Sequence, residues 1–270
     1  MKKISIAIPT YNSSKFIIKA LQYILDDERV DDIVVHDDAS TDFEQLKTQI
    51  STFNSPKIKI LGNEQNQKAF TNKSLAVKNC KNDWVILLDS DNIITKNYID
   101  TIYQLVWDPN TIYVPSFAKP LLDFREFAGQ TIHKGNLQKF AEHKKAFALM
   151  NDGNYFLKRS SYLAVYEKIT KDNYLSILDV LYFNTHWILQ GNSIEVVEGL
   201  NYFHRHHKNS FFMRNKDKSA DIIQKMRKLI SLSLARNTFP FCFHLKDLFF
   251  IVAINLSLSI RISYLLHFTF

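Results

Sequence analysis

Two carboxylates separated by one residue, Asp89 and Asp91, directly follow the apolar run over 84–88. Such a run predicts a strand buried on both faces, so the acids should lie just past its carboxyl end. Mg²⁺ and Mn²⁺ prefer oxygen ligands, and proteins commonly hold them with one or two carboxylates while substrate phosphates and water complete the shell. The pair therefore predicts half of a divalent-cation site for a phosphate-bearing substrate. A structural alternative is an Asx turn, or a cap for the helix expected over about 98–107.

Two further strands of the expected sheet also end in polar residues. The β run over 3–8 is followed by Pro9-Thr10-Tyr11-Asn12, and the short buried run over 33–35 by Asp37-Asp38. Helical patterns follow each of these strands, and another β run at 58–61 precedes a helix expected over about 69–79. This alternation predicts right-handed βαβ units and a parallel sheet with helices on both faces. Ligands of such sheets bind outside the carboxyl ends of the strands, where the three polar clusters should meet.

Four segments, taken in order, carry a resemblance to a known family. They are residues 5–12 (SIAIPTYN); residues 33–42 (IVVHDDASTD), similar to V-D-D-G-S-T-D; Asn66, Ala69, Asn72 and Leu75, in a region similar to N-x-G-x-x-x-A-x-N; and Asp89-Ser90-Asp91-Asn92, similar to a DxD signature. The chain resembles the family 2 glycosyltransferases with the GT-A fold over roughly residues 3–210. This resemblance implies an α/β fold with a Rossmann-like, mostly parallel nucleotide-binding sheet, and metal-dependent, inverting sugar transfer.

The resemblance also implies which residues hold the donor. Tyr11 would stack on a uracil base in a pocket shaped with Pro9 and Thr10, and Asp38 would accept the N3 hydrogen of uracil, a donor that cytosine lacks. Asp91 would bind Mn²⁺ or Mg²⁺ directly, while Asp89 would face the ribose or a metal-bound water. The expected donor-binding set is Pro9, Thr10, Tyr11, Asn12, Asp38, Asn72, Asp89, Ser90 and Asp91. The alternative for Asp37 and Asp38 is a role as ordinary turn acids.

Asp179 is the expected catalytic base, in a helix expected over 175–190. The family's base usually stands in an E-D or x-D pair before an aromatic residue or Leu, and here the residue before the aspartate is Leu178 rather than Glu. Inverting transfer needs one carboxylate within hydrogen-bond reach of the acceptor hydroxyl. Asp152, beside Gly153, is a second candidate, for acceptor contact or as a substitute base. The alternative for Asp179 is a solvated acid on a helix face, although its apolar neighbours argue against full solvation.

A donor-rich segment near 204–206 resembles the part of the family that closes over the diphosphate. A histidine there, His204 or His206, would be a further metal ligand and Arg205 a phosphate contact. The alternative is a solvated turn. One departure from the family is that Lys68 and Lys73 stand where Gly is common, so either these side chains reach a phosphate or the loop lies farther from the nucleotide.

The length and composition of the chain limit how many domains it can form. Its 270 residues are 46% hydrophobic, enough for one large domain or a domain with an appendage. We expect a catalytic domain over 1–212, with a nucleotide-sugar half at 1–114 and an acceptor half at 115–212, and a basic helical extension over 213–270. The segment over 115–150 is expected to be irregular. Two cysteines without metal or disulfide spacing, and an N-terminal apolar stretch too short for a signal peptide, favour the cytoplasm.

The net charge of +7 lies mostly in the extension, which from residue 214 onward has nine Lys and Arg against three Asp. Basic residues mixed with aromatic ones favour an anionic membrane surface over nucleic acid. The uncharged run between Asp247 and Arg261 is shorter than the roughly 20 residues of a spanning helix. We therefore expect an interfacial helix at the cytoplasmic leaflet; alternatively, the extension packs on the catalytic domain or on a second subunit.

The sequence predicts a hexosyltransferase that moves a sugar from a UDP donor, favoured over GDP or dTDP, to a hydroxyl of a cell-surface glycan or lipid-linked saccharide. Transfer to a polyprenyl phosphate or to a protein is a related alternative. An alternative of another class is a catalytically silent nucleotide-sugar-binding or scaffold protein with the same fold.

Overall fold

A computed structural model of the chain describes residues 1–169 and 178–205, with eight helical positions between 223 and 234. Within this part, one nine-stranded sheet has the order β3-β2-β1-β4-β8-β5-β9-β7, and β6 pairs with β5. The strands are β1 (Ile4–Thr10), β2 (Val30–Asp37), β3 (Ile58–Gly62), β4 (Trp84–Leu87), β5 (Thr111–Lys119), β6 (Leu122–Asp123), β7 (Thr131–Ile132), β8 (Tyr155–Lys158) and β9 (Ser193–Phe203).

Helices cover both faces of this sheet. They are α1 (Ser14–Leu21), α2 (Phe43–Ser51), α3 (Lys68–Lys78), α4 (Lys96–Ile102), α5 (Leu137–Glu142), α6 (Lys144–Leu149), α7 (Arg159–Lys168) and α8 (Asp179–Leu189). Successive strand residues alternate between two apolar cores: Ile6 and Ile8 face the core that contains α1, α2 and α4, whereas Ala7 faces the one that contains α3, α7 and α8. Burial on both faces explains why the strands are almost continuously apolar.

The first half of the sheet is parallel, as predicted, and the order of the remaining strands determines what lies next to it. Strands β3, β2, β1 and β4 pair in parallel, and β5 pairs in parallel with β9. Strand β8 is inserted antiparallel between β4 and β5, with Leu87 opposite Tyr155. The start of β8 therefore lies beside the end of β4, which brings residues 150–154 to the loop that contains Asp89 and Asp91.

The expectation of an irregular segment over 115–150 was wrong in part. Strand β5 continues through Pro115 to Lys119, and β6, a 3-10 helix (Arg125–Phe127), β7, α5 and α6 follow. The pairing of β5 with β9 shifts register between Pro115 and Phe117, a bulge that accommodates a residue without a backbone N–H. Strand β9 has 11 residues.

The described part of the C-terminal extension packs on α5 and α6. Met226 and Ile230 belong to the same apolar core as Phe147. The Nε of Arg227 donates a hydrogen bond to the carbonyl of Ala141 at 2.9 Å, and its guanidinium lies 4.9 Å from the ring centre of Phe147. Most of the helical extension expected over 213–270 lies outside the described residues, and membrane contact stays a prediction. In the described part, no helix has the length and hydropathy needed to cross a bilayer.

Candidate active site

The loops after β1 and β2 are joined by side-chain hydrogen bonds. The hydroxyl of Thr10 donates to Asp37 Oδ1 at 2.9 Å, and the backbone N–H and hydroxyl of Ser40 donate to the same carboxylate at 2.8 and 2.6 Å. Asn12 Oδ1 accepts from the backbone N–H of Thr41 at 3.0 Å. Asp37 is therefore a turn-forming acid, and Asn12 keeps the two loops together.

Asp38 and Tyr11 occupy different depths in this region. Tyr11 is 49% exposed, so its ring is accessible for stacking. Asp38 is buried, and its Oδ1 accepts hydrogen bonds from Asn63 Nδ2 at 2.8 Å and from the backbone N–H of Gln67 at 2.7 Å. Asp38 thus orients the start of α3, and contact of its other oxygen with a base stays a prediction.

Asn72 lies beneath the two loops. Its Nδ2 donates to the carbonyls of His36 at 3.0 Å and Thr10 at 3.3 Å. Its Oδ1 is 2.9 Å from His36 Nδ1 and accepts from Asn63 Nδ2 at 3.2 Å. The buried amide is committed to linking α3 with β1 and β2, and direct contact with a donor stays a prediction.

The loop containing Asp89 is attached to β8 through Asn154, a residue that sequence reasoning did not single out. Asn154 Oδ1 accepts from the backbone N–H of Asp89 at 2.9 Å and from Asn92 Nδ2 at 3.1 Å. Its Nδ2 donates to Asp152 Oδ1 at 3.1 Å and to the hydroxyl of Tyr202 at 3.2 Å. The only local signal was an asparagine immediately before an apolar strand.

Asp152 faces the interior rather than an open cleft. Its carboxylate accepts from the backbone N–H of Asn154 at 2.9 Å and from the Tyr202 hydroxyl at 3.1 Å. Burial raises the pKa of Asp152 above its ordinary value. These contacts give Asp152 a structural role at the start of β8, and its contact with an acceptor stays a prediction.

The end of β9 reaches the same loop. Ile93 forms an isolated bridge with Phe203, and the backbone N–H of Arg205 donates to Asn92 Oδ1 at 3.2 Å. The guanidinium of Arg205 lies 4.7 Å from the ring centre of Phe16 in α1. The backbone N–H of His204 donates to the backbone carbonyl of Lys119 at 2.8 Å. His204 and Arg205 are thus close to the loop, whereas His206 lies outside the described residues.

The ammonium group of Lys73, in α3, lies beside two carboxylates of this site. Its Nζ lies 3.0 Å from Asp179 Oδ2 and 3.8 Å from Asp89 Oδ1. Burial by itself lowers the pKa of Lys73, but attraction to the carboxylates of Asp179 and Asp89 outweighs it, so the pKa lies above its ordinary value. Lys73 is therefore charged, and it links the expected base with the expected metal-binding loop.

The first turn of α8 is held by the segment 150–153. The backbone N–H of Leu181 has no intrahelical acceptor this early in the helix, and it donates to Asn151 Oδ1 at 3.2 Å. Asn184 Nδ2 donates to the carbonyl of Met150 at 2.9 Å. Asp179 is buried at the start of this helix, where the helix dipole favours a negative charge. The expectation that Asp179 is not fully solvated is confirmed.

Lys68, the other lysine that stands where the family often has Gly, has a backbone conformation that is typical of glycine. It begins α3 with φ of 71°, in the left-handed region that favours glycine. Its backbone N–H donates to Asn66 Oδ1 at 3.2 Å. The chain therefore adopts the glycine-type conformation at this position with a side chain present.

The acids of the loop fit a site that a substrate completes. In the described residues, no group of three His, Cys, Asp or Glu side chains is arranged to hold a metal. The side chain of Asp89 is 35% exposed, and Asp91 is partly exposed beside the buried Ser90. Two accessible carboxylates agree with a cation whose remaining ligands are phosphate oxygens and water.

Comparison with known proteins assigns the chain to a family. Residues 5–218 match the family model described as glycosyl transferase family 2. The match covers well over half of the 270 residues, so the chain belongs to this family. Glycosyltransferase GlyG of Streptococcus pneumoniae serotype 4 is 28% identical over 104 residues, which cover 38% of this chain and 35% of the relative. The chain spans about a third of the length of the curated relatives it matches.

Solved structures share the fold. Residues 1–349 of S. aureus TarS, in complex with UDP, give a TM-score of 0.59 at 17% identity, covering 84% of this chain and 65% of that one. Mannosyltransferase PcManGT from Pyrobaculum calidifontis, in complex with GDP-Man and Mn²⁺, gives 0.60 at 13% identity, covering 88% and 65%. The predicted GT-A fold is confirmed.

Proposed function

We propose that this chain transfers a sugar from a UDP donor to a hydroxyl of a glycan or lipid-linked saccharide, with inversion at the anomeric carbon. The observation that carries the proposal is the placement of Asp179 next to the loop of Asp89 and Asp91, joined by Lys73. A base candidate on one side and a diphosphate-binding loop on the other are the two components that such a transfer requires.

The donor side is supported by the loops after β1 and β2. Tyr11 offers an exposed ring after β1, and Asp38, in the loop after β2, is held by hydrogen bonds from Asn63 and from the backbone of Gln67. Among the structural relatives, TarS is found with UDP and with UDP-GlcNAc, and PcManGT with GDP-Man. A carboxylate that accepts an imide N–H and a ring that stacks on the base both fit uracil, which has such a donor at N3.

The residues of the loop are the ones that would hold a divalent cation. Asp91 would bind Mn²⁺ or Mg²⁺ directly and Asp89 would supply the second carboxylate, with His204 close by. A cation bound there would neutralise the charge that develops on the leaving nucleoside diphosphate. Arg205 adds a permanent positive charge on the same side.

Asp179 removes the proton from the acceptor. The acceptor oxygen forms its bond to the anomeric carbon while the bond from that carbon to the phosphate oxygen breaks. The acceptor proton passes to the Asp179 carboxylate, and the electron pair of the broken bond leaves with UDP. Burial of Asp179 at the start of α8 keeps its position fixed and limits access of water.

Calorimetry tests the donor half. UDP, GDP and dTDP are titrated into the purified protein with and without Mn²⁺, and into Asp91→Ala. We expect UDP to bind most tightly, to need Mn²⁺ and to lose at least tenfold in affinity in the variant. Asp83→Ala is the matched control, because this exposed acid flanks the opposite end of β4. Equal binding by wild type and Asp91→Ala would remove the metal assignment.

Turnover separates an enzyme from a silent scaffold. UDP release is measured from UDP-GlcNAc, UDP-glucose and UDP-galactose, with water or added saccharides as acceptors. An enzyme releases UDP from at least one donor, and Asp179→Asn lowers that rate by about 10² or more while leaving donor binding intact. A wild-type protein that binds UDP and releases none supports the silent protein instead.

A further inference from the structure

One ammonium group connects the two halves of the catalytic domain. Lys73 belongs to α3, 106 residues before its partner Asp179 in α8. Its side chain is 12% exposed, that of Asp179 is 8% exposed and that of Asp89 is 35% exposed. A pair this well shielded is less screened by salt than a surface pair, so its geometry is held more firmly.

The packing around Lys73 leaves little freedom to either partner. A Cβ added to Gly153 would lie 3.0 Å from Val180 Cγ2, 3.5 Å from Lys73 Nζ and 3.9 Å from Asp89 Oδ2. Gly153 thus occupies the narrow space between the first turn of α8, the ammonium and the loop. A Cβ at this position would crowd Val180, whereas it would lie at ordinary contact distance from the ammonium and from the Asp89 carboxylate.

The carboxylates around Lys73 indicate its role. Asp179 lies nearest, Asp89 is next, and Asp152 contributes at longer range, so the ammonium faces three acids. Without the ammonium, Asp179 and Asp89 would be two like charges with no lysine beside them and would repel each other. Asp179 is the first residue of α8 and Asp89 lies in a loop, so this repulsion would displace both side chains.

We propose that Lys73 is a positioning residue: its ammonium fixes the Asp179 carboxylate at a set distance from the loop of Asp89 and Asp91. Base and donor are thereby held in register across two parts of the fold that are far apart in sequence. This inference rests on the proposed function, since it assigns Asp179 as the base. It differs from the expectation that the lysine reaches a phosphate.

A double-mutant cycle distinguishes these two roles. The variants are Lys73→Met, Asp179→Asn and their combination, with Lys73→Arg as the conservative change and Lys78→Met, an exposed lysine of the same helix, as the matched control. UDP release is measured from UDP-GlcNAc, UDP-glucose and UDP-galactose, with kcat and the donor KM determined separately. The Kd for UDP with Mn²⁺ is measured by calorimetry, and thermal unfolding shows that each variant is folded.

A positioning role has a specific signature. Lys73→Met lowers kcat by about 10², the cost of a misplacement of about 1 Å, while the donor KM and the Kd for UDP change less than about threefold. In the Asp179→Asn background, the same substitution changes kcat by less than about twofold, because the residue it acts through is gone. Lys73→Arg recovers part of kcat, and Lys78→Met matches the wild type.

Other outcomes overturn the inference. A tenfold or larger rise in the Kd for UDP in Lys73→Met, or a loss of kcat that persists in Asp179→Asn, identifies Lys73 as a phosphate contact. If Lys73→Met does not fold, the cycle is run with Lys73→Arg, whose displaced charge must lower kcat only while Asp179 is present. If the wild type releases no UDP from any donor, the proposed function fails instead, which is a separate result.

Discussion

Removal of the Asn154 side chain is the sharpest test of how the site is assembled. Asn154 is 2% exposed and hydrogen-bonds with Asp89, Asn92, Asp152 and Tyr202. In Asn154→Ala, the loop of Asp89 loses its attachment to β8, and a buried carboxylate loses a donor. Both effects follow from one substitution because the amide both donates and accepts.

The expected magnitude follows from the contacts. Each neutral hydrogen bond contributes about 1 kcal/mol, and the bond to the Asp152 carboxylate about 2 kcal/mol. Asn154→Ala should therefore lower the free energy of unfolding by about 5 kcal/mol, which for a chain of this size is a fall in Tm of roughly 15 °C. Release of the loop should also weaken UDP binding in Mn²⁺ by about tenfold or more, since the loop must then be ordered on binding.

Urea unfolding and UDP calorimetry measure the two effects. Asn201→Ala is the matched control, since the side-chain amide of this residue donates to the nearby carbonyl of Gly199 at an exposed position, and its stability should stay within about 0.5 kcal/mol of wild type. Asn154→Asp keeps the acceptor for the Asp89 N–H but places a third acid beside Asp89 and Asp152, so it should also destabilise. A loss below about 1 kcal/mol in Asn154→Ala, with unchanged UDP affinity, would refute this role for Asn154.

Three further substitutions test other parts of the structure. Lys68→Gly should stabilise the protein by about 0.5–1 kcal/mol in urea unfolding, because a side chain at φ of 71° costs about 1–2 kcal/mol, less the entropy of glycine. Lys144→Gly, at an ordinary first position of α6, should destabilise, and the same sign in both would contradict the argument. Gly153→Ala should lower UDP release about tenfold or more, because the new methyl group crowds Val180 and displaces α8. Adding Val180→Ala should restore part of the activity, whereas a protein that had simply failed to fold would not be rescued. Burial lowers the pKa of His186 to about 4, against about 6.5 unfolded. The unfolded state therefore binds more protons between these values, so stability should fall by about 2 kcal/mol from pH 7 to pH 5, and His186→Gln should remove that part of the slope.

The sequence alone determined the parts of this protein that depend on neighbouring residues. Alternating β and helical periods predicted the parallel half of the sheet, and polar residues were correctly expected to follow β1, β2 and β4; ligand binding at that edge stays a prediction. The apolar neighbours of Asp179 predicted its burial. These inferences succeed because the side-chain period and the end of a strand are local properties of the chain.

Only the tertiary structure decided how distant residues combine. Asn154 bonds with a loop 65 residues away, and Lys73 pairs with an acid 106 residues away. Both contacts require β8 to insert antiparallel beside β4, which the local pattern of β8 does not specify. The direction of Lys73 depends equally on where α8 begins and on the space at Gly153. The pairing of strands and the orientation of a side chain depend on packing over the whole domain, so they are determined only by the complete fold.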